Sequence, residues 1–403
     1  MWLGQLVSKL GSQFNYIALA WLVLSQTGSG IATGGVYMAQ VLPNALFGWV
    51  AGVAVDRGDK RRLMIRCDLG RAALVILIPI GWLLLGFHHL GLIYVLTFGV
   101  SLLTLVFFAA EKSIIPELVP DSELTEANAY AEMTEQAASL AGPVLAGVLI
   151  ATLASPLDVL YLDAASFLVS ATALWLLGWR DRKHPPAAAG WRAVLAEAWE
   201  GIHYLMRDRF LRVVFLTAAS VNLLIAPFTV IFPVLSERVL HTGSVGFGWL
   251  MGGIGGGMLV GSLLAAALAR RMSAPLLIYG GMALIGAAFL SMGFSRSLSA
   301  SVMLAALAGF CLAPANALFL TLVQEGTPPA LQGRVFGSLF ALMNLTVPLG
   351  VALVSPLLDH LGPPEVLWGV GGFTMVAAVI GRLVLGDSRP ERSRPDRREA
   401  PDA

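Results

Sequence analysis

Four carboxyl groups stand inside runs of sequence that are otherwise apolar: Glu111, Glu132, Glu135 and Asp163. A carboxyl group taken out of water favours its neutral form, so residues placed this way can pick up and release protons near working pH. Glu132 and Glu135 are three residues apart, which on a helix puts them on one face, where each raises the proton affinity of the other. Blander accounts stand beside this one. Asp163 serves equally well in a structural hydrogen bond at a helix end, and Glu111 can pair with the basic stretch GVAVDRGDKRRLMIRCD at residues 52–68, for instance with Arg57 or Arg61. Lys9 lies near enough to the start of its run to snorkel to the membrane surface. No G-x-x-x-x-G-K-[ST] loop is present, so nothing here would hydrolyse ATP in the P-loop manner. Cys67 and Cys311 are isolated, and neither a disulfide framework nor a metal site is indicated. No clustered His, paired metal-binding Asp or Ser-His pair suggests an enzyme, and no cofactor is implied.

The elements that must position these groups follow from composition. Of the 403 residues, 57% are apolar and 13% charged, against about 45–50% and about 25% in soluble domains. The apolar residues come in runs of about 20, long enough for a helix to cross a hydrocarbon core of about 30 Å. They do not alternate with polar residues, as barrel strands would. Helices are predicted near 2–25, 31–55, 68–87, 91–115, 125–153 and 157–179, then near 210–236, 244–269, 274–294, 298–325, 332–358 and 364–386. The fold class is therefore an all-α polytopic membrane protein with about twelve spans. Lys and Arg gather in the even-to-odd connectors and in the tail, which places that side, and both termini, in the cytoplasm. The same asymmetry makes the basic residues topology signals and gives no support for nucleic-acid binding. The opening MWLGQLVSKLGSQ shows no separate signal peptide, since the run continues past any h-region.

Residues 1–179 and 210–386 form two sets of six spans, joined by a polar stretch over 180–209 and followed by a basic tail at 387–403. Within the joining stretch, Trp191, Val194, Leu195, Ala198, Ile202, Leu205 and Met206 recur at helical spacing and predict an amphipathic helix at the cytoplasmic surface. SIIPELVPDSELTEANAY in the first set has a looser counterpart in LTLVQEGTPPALQGRVFG in the second, about 200 residues later. A parallel repeat of this kind places a binding site at mid-membrane between the halves and suggests rocking of one half against the other.

The pattern Gly52-x-x-x-Asp56-Arg57-x-x-Lys60-Arg61-Arg62-Leu63 resembles the loop 2–3 motif of the major facilitator superfamily, G-x-L-x-D-R-x-G-R-K-x-x-L, with Asp59 in the place of its second glycine. PELVP, ANAY, YLDAASFLVSA and EGIHYLMRDRFLR resemble its enterobactin-exporter-like and macrolide-efflux-like branch, so the likeness covers essentially the whole chain. The resemblance implies two pseudo-symmetric six-helix halves. It also implies that Asp56 helps to latch those halves on the cytoplasmic side. The residues there allow it: Asp56, with Arg57 and Arg61 beside it, can meet the positive N-terminus of the eleventh helix, opened by Gln332 and Gly333, and pair with Arg334. In the fifth span, Ala138-x-x-x-Gly142-Pro143-x-x-Ala146-Gly147 resembles the antiporter motif G-x-x-x-G-P-x-x-G-G and tips the direction towards export in exchange for protons; a generic small-residue interface is the competing account. The generic account is the preferred one for the glycines of the eighth span, Gly252 to Gly261.

The resemblance further implies a central cavity lined by the first, fourth, seventh and tenth helices. The matching residues are Gln13, Asn15, Tyr16, Asn222, Phe228 and Asn316, neutral amides among aromatic rings that suit an amphiphilic, weakly polar cargo. Each amide is equally able to bond a neighbouring helix. The expected partners are a small-molecule substrate such as a drug or a siderophore-like metabolite, the proton and the lipid bilayer, with the chain acting as a monomer in a bacterial cytoplasmic membrane. An importer or facilitator, or a lipid flippase, is the alternative.

Overall fold

A computed structural model of the chain describes residues 2–56, 59–85, 89–153, 155–177, 191–328 and 331–385. The elements in this part are helices: α1 Trp2–Thr27, α2 Gly30–Asp56, α3 Lys60–Leu85, α4 Leu90–Leu118, α5 Leu124–Thr152, α6 Pro156–Leu176, α7 Trp191–Arg207, α8 Arg209–Ile225, α9 Phe228–Arg238, α10 Gly243–Arg271, α11 Gly281–Phe294, α12 Leu298–Gly326, α13 Gln332–His360 and α14 Pro363–Leu385. Among the described residues, ten helical segments are long and apolar enough to cross a membrane. Large apolar side chains such as Leu84, Trp175, Leu263 and Leu383 are exposed on the outside of the bundle. A surface of this kind is stable only against lipid. The protein is a multi-pass membrane protein.

Two boundaries differ from the sequence-based reading. The third span was expected from residue 68, but α3 begins at Lys60, because the basic residues of the loop enter the helix and find acceptors on neighbouring helix ends. Lys60 binds the Ser113 carbonyl at 3.2 Å and pairs with Glu117, both in the last turns of α4. Arg61 donates to the Leu174 carbonyl at 2.8 Å and to that of Trp175, at the end of α6. Cations at helix C-termini satisfy the last carbonyls and the negative end of the dipole. The seventh span, expected as one helix, is split into α8 and α9 at Ala226 and Pro227; proline has no amide hydrogen to continue the α8 ladder.

Two other starts carry local capping. Ser155 and Asp158 form a capping box at α6 with Pro156 in its first turn, and Asp208 caps α8 by accepting from the Leu211 amide at 2.8 Å. Helix pairing then repeats between the two sets. In the first, α1 packs on α5 and α6, α4 on α2 and α3, and α3 on α6. In the second, α8 packs on α13 and α14, α12 on α10 and α11, and α11 on α14. Across the sets, α5 packs on α10 and α2 on α13. The expected amphipathic helix is α7; its Gly201 sits directly on the Arg334 carbonyl of α13, where a methyl group would come within 2.3 Å of the oxygen.

The tightest seam joins α10 to α12. A methyl group at Gly257 would lie 1.9 Å from the Ala306 carbonyl oxygen, one at Gly261 2.4 Å from that of Phe310, and one at Gly309 2.1 Å from that of Ile254. The four-residue spacing of Gly253, Gly257 and Gly261 puts them on one face, so the backbones touch without intervening side chains. These glycines of the eighth span are packing residues, as the generic account has it.

Candidate functional site

A cavity of about 790 Å³ lies within the second set. It runs from Phe228 at the start of α9 to Phe210 at the start of α8 and Glu325 at the end of α12, and is closed on its flanks by Ile278 and Tyr279 and by Met343 of α13. Residues 276–280 there form a π-helical turn, whose wider winding displaces the backbone beside the cavity. The walls are mostly apolar. Among the described residues, Asn222 and Asn316 supply amides, Thr217 and Ser273 hydroxyls, Tyr279 a phenol and Glu325 the one carboxylate, and no Lys or Arg lines it. Among the described residues, Asn222 has only the Met343 sulfur, at 3.7 Å, as a weak acceptor for its side chain, which leaves the amide available to a ligand. Such a volume fits a ligand of drug size, and its lining favours neutral or cationic amphiphiles over anions.

The first set holds a buried charge cluster instead. Lys9 lies 3.3 Å from Glu111 of α4 and 3.0 Å from Glu135 of α5, and so ties three helices together. Asp68 and Arg71, one turn apart on α3, form an ion pair with both side chains almost wholly buried. The Arg71 guanidinium lies over the rings of Phe107 at 4.1 Å and Phe167 at 4.3 Å. Asp163 of α6 is fully buried and accepts from the Asn15 amide of α1 at 2.8 Å, while Gln5 donates to Ser170 at 3.2 Å. Asp163, Ser166, Phe167 and Ser170 share one face of α6 by spacing, and the cluster lies along it.

The two sets are fastened to each other at the end opposite the basic loop. Asp359, in the last turn of α13, accepts from the Gly30 amide at 2.6 Å, the Ile31 amide at 3.0 Å and the Ser29 hydroxyl at 2.7 Å, all at the N-terminus of α2. Arg238 at the end of α9 lies 3.2 Å from Asp359 and donates to the carbonyls of Leu358 and Gly28. Nearby, Ser244 of α10 donates to the Gly147 carbonyl of α5 at 3.1 Å, and a methyl group at Gly147 would meet the Ser244 carbonyl oxygen at 2.6 Å.

Residues 1–387 match the family model described as transmembrane secretion effector. The chain belongs to this family of the major facilitator superfamily. It is 28% identical over 363 residues to the multidrug efflux pump Tap of Mycolicibacterium fortuitum, covering 89% of this chain and 88% of that one. It is 26% identical over 374 residues to macrolide efflux protein A of Streptococcus pyogenes, covering 90% and 89%. Among solved structures, a bacterial homologue of the iron transporter ferroportin aligns with TM-score 0.68 at 17% identity, covering 95% of this chain and 96% of that one, which shows a shared fold. A mutant of the nucleoside transporter NupG aligns with TM-score 0.75 at 12% identity, covering 95% and 99%. The protein is a transporter and not an enzyme.

The fold of this transporter gathers some of the expected site residues and separates others. Asn222, Phe228 and Asn316 line the cavity. Asn15 is committed to Asp163, Gln13 packs over Gly142, and Tyr16 is stacked edge-on against Tyr37 with ring centres 5.0 Å apart. Glu132 and Glu135 have separate partners: Gln136 donates to Glu132 at 2.9 Å at an exposed position, and Glu135 binds Lys9. Glu111 pairs with Lys9, whose side chain is mostly buried and does not snorkel to the surface. Asp56 closes α2, but its side chain and the whole of Arg57 lie outside the described residues. Arg61 serves α6 within its own set, and Arg334 pairs with Glu200 of α7 at 2.7 Å. Gly147 and Pro143 face Gly248 at the α5–α10 seam between the sets. Asp68, Arg71, Arg238 and Asp359 were not singled out from sequence as site residues. The first two carried a legible signal, opposite charges one turn apart inside an apolar run.

Proposed function

We propose that this transporter exports amphiphilic small molecules in exchange for protons, by alternating access, across a bacterial cytoplasmic membrane. In this reading twelve spans form two halves, 1–179 and 210–386, with the linker 180–209 and the tail 387–403 in the cytoplasm and the chain acting as a monomer. The observation that carries it is the division of chemistry between the two sets: an apolar cavity of about 790 Å³ in one, a buried ionisable cluster in the other. Among the described residues of that cluster, Lys9 and Arg71 face three buried carboxyl groups, Asp68, Glu111 and Asp163, with Glu135 a fourth at the rim. Full ionisation would leave an excess negative charge in a medium of low dielectric, so a proton shared among the carboxyl groups lowers the energy. Asp163 is the favoured holder, because a neutral amide is its direct partner where Asp68 and Glu111 each have a cation. The names of the two efflux relatives support export as the direction. The contacts at Asp359 fasten the opposite end, and the cavity reaches Phe210, Ser273 and Glu325 at the helix ends on the side of the basic loop, which supports uptake of cargo from the cell interior.

The test is transport of ethidium by purified protein in proteoliposomes under an imposed pH gradient, for wild type and Asp163→Asn. Gradient-driven movement that the substitution abolishes supports the reading. Movement indifferent to the gradient in both would leave a facilitator, and transport of labelled phospholipid in place of ethidium would make the cargo a lipid.

A further inference from the structure

The ion pair Asp68–Arg71 has no topological task, since both residues lie two turns or more inside α3 with side chains exposed by 0% and 3%. Nor is it a saturated pair: Asp68 Oδ2 and Arg71 Nε have no hydrogen-bond partner among the described residues. A buried guanidinium with an unused donor edge is costly unless another anion draws on it. The ring under it, Phe167, is four residues after Asp163, one turn along the same face of α6, which sets the guanidinium and the Asp163 carboxyl group beside the same stretch of that helix.

We propose that Arg71 is a positioning residue for proton coupling, the counter-charge of Asp163, and that Asp68 sets how much of that charge Asp163 receives. The inference rests on the proton-coupled reading above. When Asp163 carries its proton, the guanidinium is compensated by Asp68 alone. When the proton leaves the Asp163 hydroxyl for water, the new carboxylate shares the guanidinium, which stays over the Phe107 and Phe167 rings. No other bond is made or broken. The remaining charged groups around the site are Glu111, which interacts with Asp68 and is itself paired with Lys9, and Glu135 beyond Lys9. Neither contacts Asp163.

The proposal fixes signs that a packing role does not. Removing the cation in Arg71→Gln makes the Asp163 anion harder to form, so its titration moves to higher pH. Removing the competing anion in Asp68→Asn leaves more of the guanidinium for Asp163, so its titration moves to lower pH. The measurement is an infrared pH titration of the carboxylic acid C=O band of the full-length protein in nanodiscs, which needs no substrate. The component attributed to Asp163 is the one that Asp163→Asn deletes. The expected displacement is about one pH unit in each direction, the lower end for a unit charge close to a carboxyl group, and Arg71→Lys restores most of it. Midpoints unchanged in both substitutions, or moved the same way, overturn the inference while leaving proton coupling intact. A titration in which Asp163→Asn deletes nothing removes the reading on which it rests. Should Arg71→Gln fail to fold, Asp68→Asn and Arg71→Lys still decide the matter.

Discussion

Replacing Asp359 by Asn tests what keeps the end opposite the basic loop closed. The wild-type carboxylate gathers four donors, from Ser29, Gly30, Ile31 and Arg238. An asparagine keeps one acceptor oxygen and no charge, so about two charge-assisted hydrogen bonds are lost, each worth about 1.5 kcal/mol at the low end of such bonds. Partial exposure, 18% for Asp359 and 36% for Arg238, brings the sum from about 3 to about 2 kcal/mol. At 1.4 kcal/mol per factor of ten, the balance between closed and open forms of that end moves about 30-fold towards open. Spin labels on exposed Thr152 and Leu361, at that end and on different sets, report the change as a new longer distance in pulsed electron resonance. The two native cysteines, Cys67 and Cys311, are buried and would first be replaced by alanine. A change below about threefold would mean that apolar packing between α2 and α13 does the holding and that the Asp359 contacts are incidental.

Two further outcomes follow, one from the glycine seam and one from the resemblance of the loop motif. Gly257→Ala forces a methyl group against the Ala306 carbonyl, whereas the same change at Gly256 meets nothing within 4 Å; overpacking of this kind costs about 1–3 kcal/mol, so thermal unfolding in detergent should show a lowered Tm for the first and an unchanged one for the second. Asp56→Asn should impair ethidium transport while membrane insertion, read by the yield of folded monodisperse protein, stays at the wild-type level; full transport by this variant would remove the cytoplasmic latch.

How far the sequence discloses this transporter depends on the range of each interaction. Span positions were legible because desolvation acts on contiguous residues, and α4, α10, α12 and α14 begin within two residues of the expected starts. The start of α3 was misread because hydropathy takes Lys60, Arg61 and Arg62 as loop, while the chain satisfies Lys60 and Arg61 on the C-termini of α4 and α6, about 50 and 110 residues away. Asp68 and Arg71 were within reach of sequence reasoning, since their spacing is local. Asp359 was not: its partners are residues 29–31 of α2, some 330 positions earlier, and no periodicity links them. A lone positive charge in a connector, as at Arg238, reads from sequence as a topology signal whatever it touches. The resemblance placed lining residues on four helices; the cavity holds the three on the seventh and tenth spans, Asn222, Phe228 and Asn316, and none from the first or fourth; for Asn15 local polarity could not distinguish a ligand contact from a bond between helices.

The glycine seam between α10 and α12 bears on how the second set can deform. Two backbones in direct contact have no side chains to re-rotamer, so they cannot slide or part by small steps, and the pair behaves as a stiff plank. Around the cavity the construction is the reverse: α8 ends at a proline-broken joint, and the π-helical turn before α11 holds its hydrogen bonds in a looser winding. In the alternating-access reading proposed above, cargo of different girth is accommodated by yielding of α8 and the 276–280 turn, while α10, which packs on α5, transmits the motion. That reading assigns tolerance for cargo and fidelity of the stroke to opposite flanks of the same half.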